Sequence, residues 1–327
     1  MQQRFVLVFV SLAVATASVA YLDGATRSVA AAGTCSFTTS GTTMTLDADC
    51  TTDSTLFIPD GMTLDGASHT ITAVDPVAGH FTGAVVANAG AVAHVRNLTV
   101  RASGLANVCD AGEDRLRGIL FEGASGSIAH NTVLDLHQGP SGCQEGNAIE
   151  VRNAPFDGTH PATAAVEVAH NRIQDYQKTG LVANGDVDVQ VHHNTIGASA
   201  TQHELAANAL QLGFGATGRV EHNQIAGNQW FGPSDYGATA VLVYFAGGAE
   251  IRHNSIGGNA DIGIYYFADD GVIDNNRIFD AGEDGGHYDI GLGNWGSGNA
   301  VTNNKVRGFD IPYDGVTDGK NKVIPSK

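Results

Sequence analysis

His130-Asn131-Thr132-Val133, His170-Asn171-Arg172-Ile173, His193-Asn194-Thr195-Ile196, His222-Asn223-Gln224-Ile225 and His253-Asn254-Ser255-Ile256 are one motif written five times. It decays to Asn275-Asn276-Arg277-Ile278 and Asn303-Asn304-Lys305-Val306, with Arg96-Asn97-Leu98-Thr99-Val100 as a forerunner. Counted from Asn97, the steps between asparagines are 34, 40, 23, 29, 31, 22 and 28 residues. A floor of 22 and 23 with variable excess describes one structural unit carrying loops of different length. That is the signature of a solenoid.

The flanks of the motif say which solenoid. A short alternating run precedes it, such as Val166-Glu167-Val168 or Val189-Gln190-Val191. An apolar segment follows it, and after a turn comes a third, such as Asn147-Ala148-Ile149-Glu150-Val151. Period-two alternation in runs of four to six means half-buried strands. Three short strands per repeat, with almost no run long enough for a helix, predict an all-β parallel β-helix whose coils stack about 4.8 Å apart. The asparagine is expected at the sharp corner, where it tolerates the left-handed conformation and its amide bonds coil to coil as a ladder.

At these residues the chain resembles the right-handed parallel β-helix proteins of the pectate-lyase-like superfamily. The resemblance runs from about residue 97 to 306, and Met62-Thr63-Leu64-Asp65-Gly66-Ala67-Ser68-His69-Thr70-Ile71 looks like the first coil of many such proteins. It implies a right-handed solenoid and leaves function open, because the family includes lyases, hydrolases, epimerases, tailspikes and copper-maturation proteins.

Residues 5–20 form an apolar run behind Arg4, short and weakly flanked for a membrane span, and its alternative reading is an uncleaved N-terminal anchor. Small residues at Ser18-Val19-Ala20 and Ala30-Ala31-Ala32 offer two cleavage sites for a secretory signal, and the second is favoured. The expected organisation is a leader over 1–32 and one β-helix domain over 33–327. That domain has an N-terminal cap at about 33–75 and a tail at about 308–327. The mature chain is expected to be secreted, without membrane insertion. Four cysteines in such a chain suggest two disulfides. Of three connectivities, Cys35 with Cys50 and Cys109 with Cys143 is the simplest, since the latter two precede equivalent strands in consecutive coils.

Seventeen basic residues against 34 acidic ones leave a net charge of −17. Such a surface repels nucleic acid and anionic membranes, and it meets a polyanionic glycan only with cations between them. Setting Ile119, Ile149, Leu181, Leu210, Val241, Ile264 and Ile290 inward puts two columns on the outer face of the first-strand sheet. One reads Leu120, Glu150, Val182, Gln211, Leu242, Tyr265, Gly291, and the other Glu122, Arg152, Asn184, Gly213, Tyr244, Phe267, Gly293. That face is polar early and aromatic late. Long loops border it, one of them carrying Trp230, Phe231 and Tyr236. Aromatic planes beside amides and carboxylates suit an extended sugar chain, so Asn184, Gln211, Trp230, Tyr244, Tyr265 and Phe267 are the expected polysaccharide-binding residues.

Glu122 and Glu150 fall in adjacent coils about 8 Å apart at the backbone, a spacing compatible with the acid and base of an inverting glycosidase. The competing reading pairs Arg152 with Glu122 in its own column. A lyase would instead take Arg152, Lys178 or His203 as base near a sugar C5 proton. The pentapeptide Asp-Ala-Gly-Glu-Asp at 110–114 and 280–284 offers carboxylates for calcium, with Asp280, Glu283 and Asp284 as ligands, or it is a pair of solvated turns. His170, His193, His222 and His253 form a column at coil spacing, read as corner residues stacked beside the ladder. The function expected is polysaccharide binding, with cleavage by a lyase or hydrolase step. Its rival is a non-catalytic envelope or adhesion solenoid, and calcium or copper handling comes third.

Overall fold

The computed structural model describes residues 35–154, 162–200, 204–282, 287–317 and 319–325. The expected leader and its two expected cleavage sites lie outside these residues. So do His203, Glu283 and Asp284. Among the described residues there is no α-helix, only the 3₁₀ turn Gly112–Asp114. Among these residues no helix is long and apolar enough to cross a membrane.

The strands form three long sheets, called here first, second and third in the order the chain meets them within a coil. Asn147–Asn153 lies in the first, Ala164–Ala169 in the second and Arg172–Tyr176 in the third. Each strand pairs in parallel with its counterpart one coil away, for instance Ile149 with Leu181, Val166 with Val189 and Ile173 with Ile196. Among the described residues, the one antiparallel pairing is Phe37–Ser40 with Thr43–Leu46 at the N-terminal end. Strands continue through both end segments. Cys50–Thr52 and Leu56–Ile58 join the third and first sheets, and Ile311–Asp314 and Lys322–Val323 do the same at the other end.

The inward residues make continuous apolar rows. Ile119, Ile149, Leu181, Leu210, Val241, Ile264 and Leu292 follow one another in register and are all fully buried. Each such side chain contributes about 1.5–3 kcal/mol relative to exposure, and the row needs only alternation to form. Its last member corrects the expected register. Ile290 pairs with Ile262, so Leu292 stands beside Ile264, and Gly293 rather than Gly291 joins the column of Tyr265.

The corner between the second and third sheets carries the ladder and a second correction. The left-handed conformation falls on the residue before the motif's asparagine: φ is 60° at His130, 57° at His170, 56° at His193, 58° at His222 and 55° at His253. Asn97, Asn275 and Asn303 take the same role in other coils. The asparagine itself points inward and is buried. Each amide oxygen accepts from the backbone N–H and the Nδ2 of the rung before it, as Asn223 does from Asn194 at 2.9 and 3.0 Å. The ladder runs from Asn131 to Asn321, a rung that breaks the motif's wording because Lys320 precedes it. Leu98, not Asn97, holds the place before Asn131.

Both disulfides join the expected partners, Cys35 to Cys50 and Cys109 to Cys143, with Cα separations of 5.2 and 5.1 Å. Bonds of this kind persist in oxidising, extracytoplasmic compartments. The second staples the loop before Arg117–Glu122 to the loop before Asn147–Asn153, and the first of these reaches the outer face of the first sheet, where Glu113 pairs with Arg152.

Candidate functional site

The outer columns of the first sheet run as expected through the middle coils: Leu120, Glu150, Val182, Gln211, Leu242, Tyr265 beside Glu122, Arg152, Asn184, Gly213, Tyr244, Phe267. The two halves of this face meet different fates.

The early half is roofed. The buried guanidinium of Arg117 donates from Nε to Glu150 Oε2 at 2.6 Å, and from its other nitrogens to the carbonyls of Gly112, Glu113 and Arg115. Asn147 Nδ2 donates to the same Glu150 oxygen at 2.9 Å. Glu145, fully buried, accepts the backbone N–H groups of Asp110 and Leu116 at 2.9 and 2.8 Å. Arg152 donates to Glu122, reaches Glu113 at 2.5 Å and lies 3.8 Å from Glu150. Buried charges survive when paired and hydrogen-bonded, and these are. Glu122 and Glu150, expected as acid and base, each sit in an ion pair, and Glu150 has no open face toward solvent. Arg152, expected as a base, is tied to three carboxylates.

The late half is open. A groove of about 1100 Å³ is lined by Trp230, Tyr236, Tyr244, Tyr265, Phe267, Tyr288 and Trp295, with Lys178, Glu204 and Asp235 among its polar members. Tyr244 stacks with Phe267 at 5.7 Å between ring centres, and Tyr265 packs against Trp295 at 4.6 Å. Trp295 can lie there because Gly293 has no side chain: a Cβ at 293 would come within 2.1 Å of the indole. Asp314 Oδ2 accepts the indole N–H at 3.0 Å. Of the expected binding residues, Trp230, Tyr244, Tyr265 and Phe267 line the groove. Asn184 and Gln211 lie beside it and bond to each other, Gln211 Nε2 donating to Asn184 Oδ1 at 3.1 Å.

Lys178 is the expected catalytic residue that the groove does hold. Its Nζ donates to the carbonyl of Ala206, and burial lowers its pKa to about 8. About a tenth of the amine is then neutral at pH 7, far more than for an ordinary lysine, which makes it fit to take a proton.

The loop carrying Trp230 is pinned from below. Asp261 Oδ2 accepts the backbone N–H groups of Trp230 and Ala238, each at 2.9 Å. Burial raises the Asp261 carboxyl to about 6, against the pull of those two hydrogen bonds. Its buried Oδ1 has no partner among the described residues, which suits a protonated oxygen. Asn228 closes the same loop, donating to Tyr176 Oη at 2.9 Å and accepting from Ser199 N at 2.8 Å.

Sequence reading missed Trp295, Tyr288, Glu204 and Asp235. They sit in loops, where no repeat pattern flags them. The aromatic group also extends past the sheet to Phe214 and Phe245, around Tyr244 at 5.9 and 4.3 Å, both with positive φ and both exposed.

Of the acidic pentapeptides' described carboxylates, Asp110, Glu113 and Asp280 are engaged within the fold. Asp280 accepts from Gly282 N at 2.7 Å and Ala260 N at 3.3 Å. Asp110 lies 2.8 Å from His80 Nε2, and Glu113 pairs with Arg152.

At the opposite corner five imidazoles stack. Ring centres are 4.8 Å apart from His130 to His170, then 5.0, 5.5 and 5.2 Å up to His253. Burial, then the neighbouring His130, His193 and His192, lower the pKa of His170.

The model of the right-handed β-helix region matches residues 159–322, half of the chain. The chain belongs to the right-handed β-helix family. No curated protein matches its sequence significantly. Among solved structures, this β-helix protein is similar to the Dettilon tailspike protein at 12% identity and a TM-score of 0.33, over 78% of this chain and 58% of that one. It thus spans just over half of the tailspike's length. The periplasmic alginate epimerase AlgG, solved as a double mutant, is 10% identical with a TM-score of 0.41, covering 88% of this chain and 79% of its own. The A-module of the mannuronan C-5 epimerase AlgE4 from Azotobacter vinelandii is 15% identical with a TM-score of 0.35, covering 87% and 88%. These are likenesses of fold. The outer face of this β-helix is roofed and ion-paired in its early half and open and aromatic in its late one.

Proposed function

We propose that this β-helix is a secreted protein that binds an extended, neutral or weakly charged polysaccharide along the late coils of its first sheet. The observation that carries this reading is the groove itself, whose walls are aromatic planes on successive coils. Pyranose rings present apolar faces that stack on such planes, while their hydroxyls bond the polar groups at the margin. A groove of about 1100 Å³ exceeds an ordinary small-molecule pocket, which favours a chain of sugars over a single one. The net charge of −17 selects against polyuronates unless cations screen it.

Lys178 supports a second reading, proton abstraction from a sugar. Its amine is the one group in the groove lowered toward neutrality, and any lyase-type step would start there rather than at Glu122 or Glu150. The test is a polysaccharide panel scored for binding, new reducing ends and unsaturated products. Tyr265→Ala should weaken binding about threefold to tenfold, the worth of one aromatic stacking contact, without lowering the melting temperature. If turnover exists, Lys178→Met should abolish it and spare binding. Should no glycan bind, or should Tyr265→Ala bind as wild type, the adhesion solenoid becomes the better account.

A further inference from the structure

The left-handed corner does not by itself call for histidine. Asn97, Asn275 and Asn303 occupy it with φ of 52°, 55° and 58°, indistinguishable from the histidine corners. Asparagine is among the residues best suited to that conformation. Five consecutive coils nevertheless use histidine, and one of them adds another beside it: His192, at the end of Val187–His192 in the second sheet.

That addition changes the chemistry of the column. Stacked rings about 5 Å apart present parallel nitrogens too far apart to share an ion. His192 stands across them, at 87° to His193 and 90° to His170. Its Nδ1 lies 3.0 Å from His193 Nδ1. A nitrogen of His170 completes a trio whose members all fall within 4.8 Å of one another. On the far side of the ring, His192 Nε2 lies 3.0 Å from Glu167 Oε1. A carboxylate only accepts, so Nε2 carries the proton, and in neutral imidazole the Nδ1 lone pair is then turned toward His193. A carboxylate that fixes the tautomer of a histidine, leaving its other nitrogen free, is the usual outer shell of a metal ligand.

The distances also select the ion. Two nitrogens 3.0 Å apart, each bound at about 2.0–2.1 Å, subtend about 90° at the metal, below the tetrahedral angle. In a square plane the trans-related nitrogens lie about 4 Å apart, close to the limit of this trio, and the exposed ring of His170 can turn to close the difference. Tetragonal nitrogen sites suit Cu²⁺ and Ni²⁺, and Cu²⁺ stands at the top of the affinity order for divalent first-row ions. We propose that His170, His192 and His193 form a surface site for a divalent transition metal, binding Cu²⁺ most tightly. The site lies at the corner of the second and third sheets, apart from the groove on the first, so it is independent of the glycan reading.

The test uses the full, tag-free chain titrated with Cu²⁺ alone, then with Ni²⁺ and Zn²⁺, and read by calorimetry and by electron paramagnetic resonance of the Cu²⁺ form. One tight Cu²⁺ per chain with nitrogen hyperfine structure is expected, and Zn²⁺ should bind more weakly. His193→Asn uses a residue the same corner accepts at 275 and 303, so the fold is retained, and affinity should fall at least a hundredfold. Glu167→Gln keeps every ligand and should weaken binding about tenfold to a hundredfold. His253→Asn, at the end of the column, should leave it unchanged. Equal affinity in His193→Asn and wild type would overturn the proposal. So would equal losses in His253→Asn and His193→Asn, which would make binding a property of any stacked pair.

Discussion

Truncating one rung of the asparagine ladder, Asn223→Ala, separates a structural column from a decorative one. Asn223 is buried, and its oxygen accepts from Asn194 N at 2.9 Å and Asn194 Nδ2 at 3.0 Å. The two hydrogens on its Nδ2 are shared among Val191 O, Glu221 O and Asn254 Oδ1, each 3.0 Å away. Alanine removes all of these and strands the backbone N–H of Asn194 in the interior. Buried hydrogen bonds are worth about 1 kcal/mol each net, and a stranded donor costs about 1–3 kcal/mol, so the expected loss is about 3–5 kcal/mol. The last rung provides the control. Asn321 accepts from Asn304 N and Nδ2 at 2.9 and 3.1 Å but is only half-buried, so water replaces it and Asn321→Ala should cost about 1 kcal/mol. Urea unfolding at constant m-value measures both, and hydrogen exchange at the Asn194 amide locates the damage. If Asn223→Ala falls within about 1 kcal/mol of wild type, or matches Asn321→Ala, the ladder does not hold the coils together in the way argued.

Two further predictions concern the groove. Asp261 has a folded pKa of about 6 against an ordinary 3.8. Between those values the folded chain holds a proton that the unfolded chain releases, so this group's contribution is present at low pH and lost as pH rises through about 6. Asp261→Asn should flatten that part of the melting-temperature profile, and an unchanged slope would place its origin elsewhere. Gly293→Val should push Trp295 off Tyr265, since the added Cβ would meet the indole at 2.1 Å. Tryptophan fluorescence should shift and glycan affinity should fall with little change in stability. An unmoved spectrum would mean the indole is not held by the absence of a side chain at 293.

Where sequence reading went astray, the physics is specific. The ladder stands on the expected asparagines, but the left-handed corner falls one residue earlier, because histidine and asparagine both tolerate that conformation and the motif has two adjacent residues able to fill it. Only the coordinates say that His193 turns the chain while Asn194 points inward. The last coil was misread by two residues for another reason. In Ile290-Gly291-Leu292-Gly293, both Ile290 and Leu292 face the core, so a slip of two keeps the pattern intact where a slip of one would have exposed it. Glu150 reads as open in the sequence because the partner that buries it, Arg117, lies 33 residues away in the chain, whereas Glu122 pairs with Arg152 as the competing reading expects.

The repeat alone determined the parallel solenoid, the three strands per coil, the aromatic late columns and, with the cysteine positions, the two disulfides. Each coil rests on the next, so its strongest contacts recur at one repeat's spacing, and such contacts leave a periodic trace. Tertiary structure decided which half of the outer face is open. The roof over Glu122 and Glu150 and the walls around Tyr265 come from loops, the variable excess over the common coil. Arg117 stands at a strand position that Asn147, Thr179 and Asn208 fill in the next coils, Glu145 and Trp295 lie in loops, and each acts by where the solenoid carries it. A single residue has no period, and only folding brings it to its partner.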